Sequence, residues 1–453
     1  MKKILPLIIV AIILLSGTSI TSSINTNKSL ETYDLLIITP EMWLEELQTL
    51  KEHKESHNMK TFIQTLEEIY DSTEGRDYQE KIKYYIKYAL ETYGIKYVLL
   101  MGGRKPSIIG EPWILPARYS YIEDNVATPE KRFISDLYYA DVYDNTSSFS
   151  SWDENENDVF SEWLANQSAD DTMDLYPDVC LGRLACRNKF EVKIMIKKII
   201  NYENNAYDAE WSNKVVVVGG DTYINNDYYE GEVANQQALD FMTDYEHIKL
   251  WTSDDSFTDW KDVVSTINKG CGFLFFAGHG SPAAWGTHPP FDNTVWRFGL
   301  RLRNMPFLSN GKKLPITVVG GCHNSMFNIS MFHTSWTYGV PVAECWSWHL
   351  TRNIGGGAIA TLGCTGLGYG KEDKLAPDAE GGGDWLNVLF FKEVGESKAE
   401  YLGEAWAWAI TSYLNEFPID WNQPAFADTA LDAKTVQEWV LLGDPSLKIG
   451  GYH

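Results

Sequence analysis

Two short apolar runs, Gly272 to Phe276 and Leu314 to Val319, each end in a turn of small residues. A run of this length closed by glycines is typical of a parallel strand that is buried on both faces. Such strands belong to sheets covered by helices, and ligand chemistry collects at the carboxyl ends of those strands. The sequence therefore predicts an α/β fold with a reactive edge just beyond the two runs.

Each of these turns carries one reactive side chain, His279 after the first run and Cys322 after the second. A thiol is a poor nucleophile until it loses its proton, and a nearby imidazole can take that proton. Either residue alone is more often structural, because free cysteines are commonly buried and histidines usually find a hydrogen-bond partner. Their equivalent positions favour a cysteine nucleophile with a histidine base. Gly280 lacks a Cβ, so its backbone N–H could approach a substrate carbonyl closely.

The order of the remaining elements also predicts an α/β fold. Leu35 to Ile38 and Tyr97 to Leu100 are predicted strands with helices between them, and Val215 to Val218 begins a second series of this kind. We expect two Rossmann-like α/β subdomains with mainly parallel sheets covered by helices, over residues 33–205 and 206–450. The second would be the catalytic subdomain.

The amino terminus has the pattern of an export signal. Two lysines precede an apolar run from Ile4 to Leu15, and small polar residues follow, which predicts a signal peptide over residues 1–23. The run is too short to span a bilayer comfortably, so membrane attachment is expected only if the segment stays uncleaved. The sequence thus predicts a secreted or extracytoplasmic protein, associated with the cell surface in the uncleaved case.

Composition excludes several function classes. The formal net charge of −24 argues against nucleic-acid binding and favours attraction of cationic peptides. If Cys322 is the nucleophile, an odd number of the six cysteines remains, which argues against a complete disulfide framework. The sequence has no Cys-x-x-Cys, His-Glu-x-x-His or Gly-x-Ser-x-Gly motif. Zinc-centre, metallopeptidase and serine-esterase chemistry therefore have no support from motifs.

Two sequence blocks carry a family resemblance. Phe276-Ala-Gly-His-Gly-Ser-Pro-Ala-Ala-Trp-Gly-Thr-His288 resembles the histidine block of gingipain-type cysteine peptidases, a branch of the caspase-like clan, and Val318-Val-Gly-Gly-Cys-His-Asn324 is similar to their cysteine block. Further segments resemble the family in order over about residues 33 to 448. The resemblance implies a caspase-like fold and a secreted cysteine endopeptidase that acts on proteins or peptides without an organic cofactor.

The resemblance also implies roles for individual residues. Cys322 would be the nucleophile, His279 the general base and acid, and the N–H groups of Gly280 and Cys322 the oxyanion hole. Asp221 falls where the family carries a carboxylate that orients the histidine, although an aspartate that caps the following turn explains it equally well. The alternative to an active peptidase is a catalytically inactive gingipain-like surface protein that keeps the fold for binding.

Substrate selection is implied at two further positions. Glu232 falls near an acidic residue at the floor of the P1 pocket in family members that cleave after arginine, so it could select Arg or Lys. A glutamate that stabilises a helix start is the competing interpretation. Tyr369 would help to wall the pocket. His323 and His288 are rival bases, but His323 adjoins Cys322 on an extended segment and would point away from it.

Residues 141–178 are markedly acidic and predict a cation site. The oxygen side chains at spacings that suit a calcium loop are Asp153, Asn155, Asn157 and Glu162. Asp158 replaces the glycine of an EF-hand loop, and a solvated acidic loop is the alternative. Because gingipain-like enzymes bind calcium and the loop otherwise repels itself, a structural calcium ion is the expectation.

Overall fold

The computed structural model describes residues 31–105, 112–124, 130–223, 227–331, 335–337, 339–370 and 381–453. Thr32–His453 form one compact unit. The predicted signal peptide lies outside the described residues, so export stays a prediction, as does the subdomain boundary at residue 205. Within the described ranges, no helix combines the length and the apolar character needed to cross a membrane.

Strands and helices alternate along most of the described chain. The strands are β1 Leu35–Thr39, β2 Thr61–Thr65, β3 Tyr97–Met101, β4 Arg118–Ile122, β5 Arg132–Ser135, β6 Phe160–Trp163, β7 Cys180–Leu184, β8 Lys214–Gly219, β9 Glu246–Trp251, β10 Phe273–Ala277, β11 His279–Ser281, β12 Ala284–Thr287, β13 Arg297–Arg301, β14 Ile316–Gly320, β15 Ala360–Cys364 and β16 Trp439–Leu442. The α-helices are α1 Leu44–Ser56, α2 Leu66–Ser72, α3 Tyr78–Tyr93, α4 Leu137–Ala140, α5 Lys189–Asn205, α6 Glu230–Phe241, α7 Trp260–Lys269, α8 Trp346–Thr351, α9 Gly382–Gly395, α10 Leu402–Glu416 and α11 Asp428–Glu438.

A four-stranded parallel sheet contains the first predicted strands, in the order β2-β1-β3-β7. Strands β1 and β3 are buried along their whole length, as their continuous apolar sequences require. The intervening helix α3 is capped at its start by Asp77, whose side chain accepts the N–H of Glu80, and at its end by Gly94 in the left-handed conformation. The predicted β–α–β order is therefore present.

A six-stranded sheet carries the two apolar runs, in the order β16-β15-β14-β10-β8-β9. All of its strand pairs are parallel except β15 with β16 at one edge. Strands β10 and β14 are neighbours, and Ala277 at the end of one lies opposite Gly320 at the end of the other. The mainly parallel α/β architecture predicted from the sequence is confirmed, and both reactive turns leave this sheet at the same edge.

A small antiparallel sheet, β11-β12-β13, follows directly from β10. Its inner face carries Trp285 and Leu300, which are fully buried in the core beside the six-stranded sheet. This sheet was not predicted from the sequence. The chain after β10 therefore forms an ordered sheet surface beside the turns that carry His279 and Cys322.

Candidate active site

The register of neighbouring strands brings His279 and Cys322 together. Each residue lies two positions beyond the opposed pair Ala277 and Gly320. The two turns are in direct contact, because a Cβ built on Gly280 would lie only 2.7 Å from the carbonyl oxygen of Cys322. Both side chains line one cavity of about 1110 Å³. The structure therefore brings the two predicted residues to a shared, open site.

Asn324 fastens the cysteine turn to the histidine hairpin. Its side-chain amide donates to the carbonyl oxygens of Ser281, at 2.8 Å, and Ala284, at 3.0 Å. Its oxygen would lie 2.2 Å from a Cβ on Gly280 and 2.5 Å from one on Gly321, so both positions must lack a side chain. The sequence blocks contain all three residues, but only the fold shows that Asn324 determines the spacing of the two turns.

The imidazole of His279 is held by a backbone carbonyl. Its Nε2 lies 3.0 Å from the carbonyl oxygen of Thr222, which can only accept, so Nε2 carries the proton of the neutral ring. Nδ1 is then the nitrogen that can take a proton. Burial lowers the pKa of His279, nearby His288 lowers it further, and the bond to Thr222 opposes this change. The ring is thus held as a neutral base.

Asp221 does not make the contact that was predicted for it. Its backbone pairs with that of His288, and this pairing turns the carboxylate towards the N–H of Phe291, which it accepts at 2.7 Å. The partner of the imidazole is the carbonyl of the next residue, Thr222, rather than a carboxylate. Asp221 therefore fixes the loop that presents this carbonyl.

Glu230 supports the same loop from the start of α6. One of its carboxylate oxygens accepts the N–H groups of Thr222, at 3.1 Å, and Tyr223, at 3.0 Å. The ring of Tyr223 then packs edge-on to His279, with 6.0 Å between the ring centroids. Neither Glu230 nor Tyr223 was singled out from the sequence, because the signal for a positioning role lies in these contacts rather than in a motif.

Cys322 is held as a thiol. Its Sγ donates towards the carbonyl oxygen of Gly368 at 3.4 Å. Burial raises the pKa of Cys322 to about 12, with the nearby Glu438 adding to this effect. Within the described part of the chain, the backbone N–H of Cys322 has no hydrogen-bond acceptor. This N–H is therefore available to a substrate oxygen, as the predicted oxyanion hole requires.

Glu232 is not among the residues that line the cavity. Its buried carboxylate accepts the hydroxyl of Ser253 at 2.6 Å and the N–H of the same residue at 3.0 Å. The turn of α6 directs the side chain to the loop after β9 instead of to the cysteine. Tyr369 also lies outside the lining, and its ring packs 5.1 Å from the ammonium group of Lys434. The structure thus does not bring either predicted specificity residue to the cavity.

The two rival histidines have other partners. His323 is buried, and its Nε2 lies 3.0 Å from a carboxylate oxygen of Glu130. His288 uses Nδ1 to contact the carbonyl oxygen of Val295 at 2.9 Å. His323 also lines the cavity, but its ring is engaged by Glu130, whereas His288 does not line the cavity. The segment after Cys322 is a turn in which His323 has a φ of 58°, and not the extended segment predicted from the sequence.

The predicted calcium ligands are turned to other partners. Asp153 accepts the N–H groups of Asn157 and Asp158 and pairs with the guanidinium of Arg76 at 2.5 Å. The side-chain oxygens of Asn155 and Asn157 accept backbone N–H groups, and the Asn157 amide donates to Glu162. Over the described ranges, no group of three or more His, Cys, Asp or Glu side chains is arranged to hold a metal ion. The residues as placed do not fit a calcium ion, and calcium binding stays a prediction.

The family model of Peptidase family C25 matches residues 28–450 of the chain. Gingipain R2 of Porphyromonas gingivalis is 23% identical over 306 residues, which are 66% of this chain and 33% of that protein. An uncharacterized protein of Archaeoglobus fulgidus is 21% identical over 432 residues, which are 90% of this chain and 92% of that protein. The chain thus spans a third or less of the length of the gingipain relatives, from 33% of gingipain R2 to 14% of one gingipain R1.

Solved structures show the same relationship at the level of the fold. The crystal structure of the Arg-specific cysteine proteinase gingipain R matches with a TM-score of 0.63 at 18% identity, over 93% of this chain and 79% of that chain. The complex of the Porphyromonas gingivalis RgpB pro- and mature domains matches with a TM-score of 0.61 at 19% identity, over 92% of this chain and 79% of that chain. The predicted caspase-like, gingipain-like fold is confirmed.

Proposed function

Because this chain belongs to peptidase family C25, we propose that it is a cysteine endopeptidase in which Cys322 attacks the peptide carbonyl and His279 moves the protons. The observation that carries the proposal is the convergence of both side chains on one cavity at the ends of paired strands. The substrates are proteins or peptides, as the family implies. Export to the outside of the cell belongs to the same proposal.

The proposed reaction begins with a neutral thiol and a neutral imidazole. As Sγ of Cys322 forms its bond to the carbonyl carbon, the thiol proton passes to Nδ1 of His279, and the carbonyl oxygen becomes an oxyanion. The N–H groups of Cys322 and Gly280 stabilise that charge. His279 then gives its proton to the departing amine, which leaves a thioester on Cys322. A water molecule deprotonated by His279 hydrolyses the thioester and restores the thiol.

A preference for Arg or Lys at P1 is the finer part of the proposal, and it has less support. The solved relative is described as Arg-specific. In this chain Glu232, the carboxylate proposed for that role, is bound to Ser253 and lies outside the cavity lining. P1 selection therefore needs a direct measurement, and cleavage of a diverse peptide library followed by mass spectrometry provides it.

Covalent labelling by a thiol-directed peptidyl probe tests the nucleophile. We expect the wild-type protein to be labelled at Cys322 and the variant Cys322→Ala to lose both labelling and peptide cleavage. Cys180→Ala is the matched control, because Cys180 is the other described cysteine that is partly exposed. If the folded, reduced wild-type protein neither labels nor cleaves, the inactive surface-protein alternative is favoured and the proposal fails.

A further inference from the structure

The small sheet β11-β12-β13 extends the wall of the active site away from Cys322. Trp285 and Leu300 are fully buried on one face of this sheet. Ser281 of β11 and Arg301 of β13 lie opposite the same residue of β12 and therefore share the other face. His279 lies two residues before Ser281 and faces the same way. All three outer-face residues line the cavity.

The strand spacing gives the distance of Arg301 from the reactive edge. Neighbouring strands lie about 4.8 Å apart, so two spacings separate β11 and β13 by roughly 10 Å. An extended peptide advances about 3.3 Å per residue. A substrate bound along this wall therefore reaches Arg301 about three residues from the bond that Cys322 attacks.

Within the part of the chain that the structure describes, two guanidinium groups that line the cavity have no acidic partner, Arg301 on β13 and Arg303 just beyond it. Among the described residues, neither Arg301 nor Arg303 makes an ion pair, and the hydrogen bond that Arg301 donates to Asn304 comes from its backbone N–H and leaves its guanidinium unused. The guanidinium of Arg301 lies 3.5 Å from the ring centroid of Phe298. This stacking fixes the plane of the guanidinium and leaves its N–H groups accessible to a ligand. Partial burial and the neighbouring Arg303 lower the pKa of Arg301, as expected for two adjacent cations without compensation.

The acidic residue in the same cavity wall is already neutralised. Glu344 is paired with two cationic groups, the guanidinium groups of Arg187 at 2.6 Å and of Arg352, and one of its oxygens lies 2.7 Å from Nδ1 of the His349 imidazole. These partners hold the pKa of Glu344 at about 2 despite burial. Glu344 therefore cannot offset Arg301 and Arg303, so the uncompensated charge among the described residues that line the cavity is positive.

We propose that Arg301 and Arg303 form a subsite for an acidic side chain of the substrate, about three residues from the scissile bond. This inference rests on the proposed peptidase function. It opposes the attraction of cationic peptides expected from the net charge of −24. The local charge determines which substrate side chain binds at this subsite, because salt screens distant surface charges beyond about 8 Å. A carboxylate in contact with a guanidinium group is screened far less.

Matched peptides that differ only in Glu, Gln or Lys at one position test the subsite. We expect kcat/KM for Glu to exceed that for Gln by roughly ten-fold at one position away from the scissile bond, the size of one charge-assisted hydrogen bond. In Arg301→Gln the Glu-to-Gln ratio should fall towards one, and Arg301→Lys should restore part of it. Arg297→Gln is the control, because Arg297 lies on the same strand but does not line the cavity.

Binding of the same peptides to the Cys322→Ala protein separates this inference from the proposed function. Fluorescence anisotropy should show tighter binding of the Glu peptide than of the Gln peptide, and Arg301→Gln should remove the difference. If the wild-type protein cleaves none of these peptides, the same binding result would keep the subsite while the proposed function fails. Cleavage or binding without a preference for Glu, or with a preference that Arg301→Gln leaves unchanged, would overturn the subsite.

Discussion

His279 and Cys322 are both neutral in the resting site. Burial lowers the pKa of His279 and raises that of Cys322 to about 12, so a thiolate–imidazolium pair is not favoured before substrate binds. The thiol must therefore lose its proton as it attacks, and His279 must be unprotonated at that moment. The protonation state of His279 therefore determines how far the rate falls in acidic solution.

The expected pH profile follows from the direction of the His279 shift. Protonation of His279 removes the base, and its pKa lies below the ordinary value of 6.5, so kcat/KM should rise through a midpoint below pH 6.5 and then stay level. Initial rates on one peptide from about pH 4 to about pH 9 would measure this. A fall in kcat/KM between neutral pH and about pH 9 would instead indicate a resting ion pair, because an imidazolium paired with a Cys322 thiolate would lose its proton in that range.

Asn324 should affect catalysis without touching the substrate. Asn324→Ala removes both hydrogen bonds that hold the cysteine turn against the histidine hairpin. We expect kcat to fall about 100-fold with little change in KM, since small misplacements of reacting groups have effects of this size. Asn310→Ala is the control, because Asn310 is a buried asparagine that also joins loops by hydrogen bonds but lies away from the cavity. An equal loss of kcat in both variants would show a general structural effect.

At the level of elements, apolar patterning was sufficient to predict the strands beneath the site. Strands β10 and β14 are continuous apolar runs, and the rule for parallel sheets places their turns at one edge. The partners of these turns were not predictable. Thr222 contributes a backbone carbonyl, which any residue has, and the side chain of Glu232 is directed by the packing of α6 on its sheet. Short strands β11 to β13 lack a clear period and were missed.

The close contact between the turns after β10 and β14 leads to a further prediction, at Gly280. In Gly280→Ala, the new Cβ would lie 2.2 Å from the side-chain oxygen of Asn324, so the turns after β10 and β14 must separate. We expect at least a 100-fold loss of kcat/KM with the fold retained, measured by peptide cleavage and circular dichroism. Gly355→Ala is the matched control, since its Cβ would have one neighbour, at 3.2 Å, outside the site. Full activity of Gly280→Ala would contradict the close packing of the turns.

At the level of the whole molecule, one buried charge joins distant parts of the chain. Lys54 of α1 is fully buried and contacts Glu203 of α5 at 2.7 Å and Asp444, beyond β16, at 2.9 Å. Lys54→Met keeps most of the volume but leaves two buried carboxylates without their cation. The free energy of unfolding should fall by about 3 to 5 kcal/mol, measured by urea denaturation. Lys51→Met, which removes a partly exposed pair with Glu55, should cost well under 1 kcal/mol.

The pH dependence of that difference separates charge from packing. Burial alone would raise the pKa of Glu203, but Lys54 and His53 outweigh it and hold the pKa below the ordinary 4.5. A carboxylate with a lowered pKa stabilises the folded state above its unfolded pKa, and this stabilisation is lost as the pH falls through the folded value. The gap between wild type and Lys54→Met should therefore be largest above pH 4.5 and narrow in more acidic solution. A gap that does not change with pH would mean that Lys54 acts through the packing of its side chain, because protonation of Glu203 would then leave the cost of the substitution unaltered.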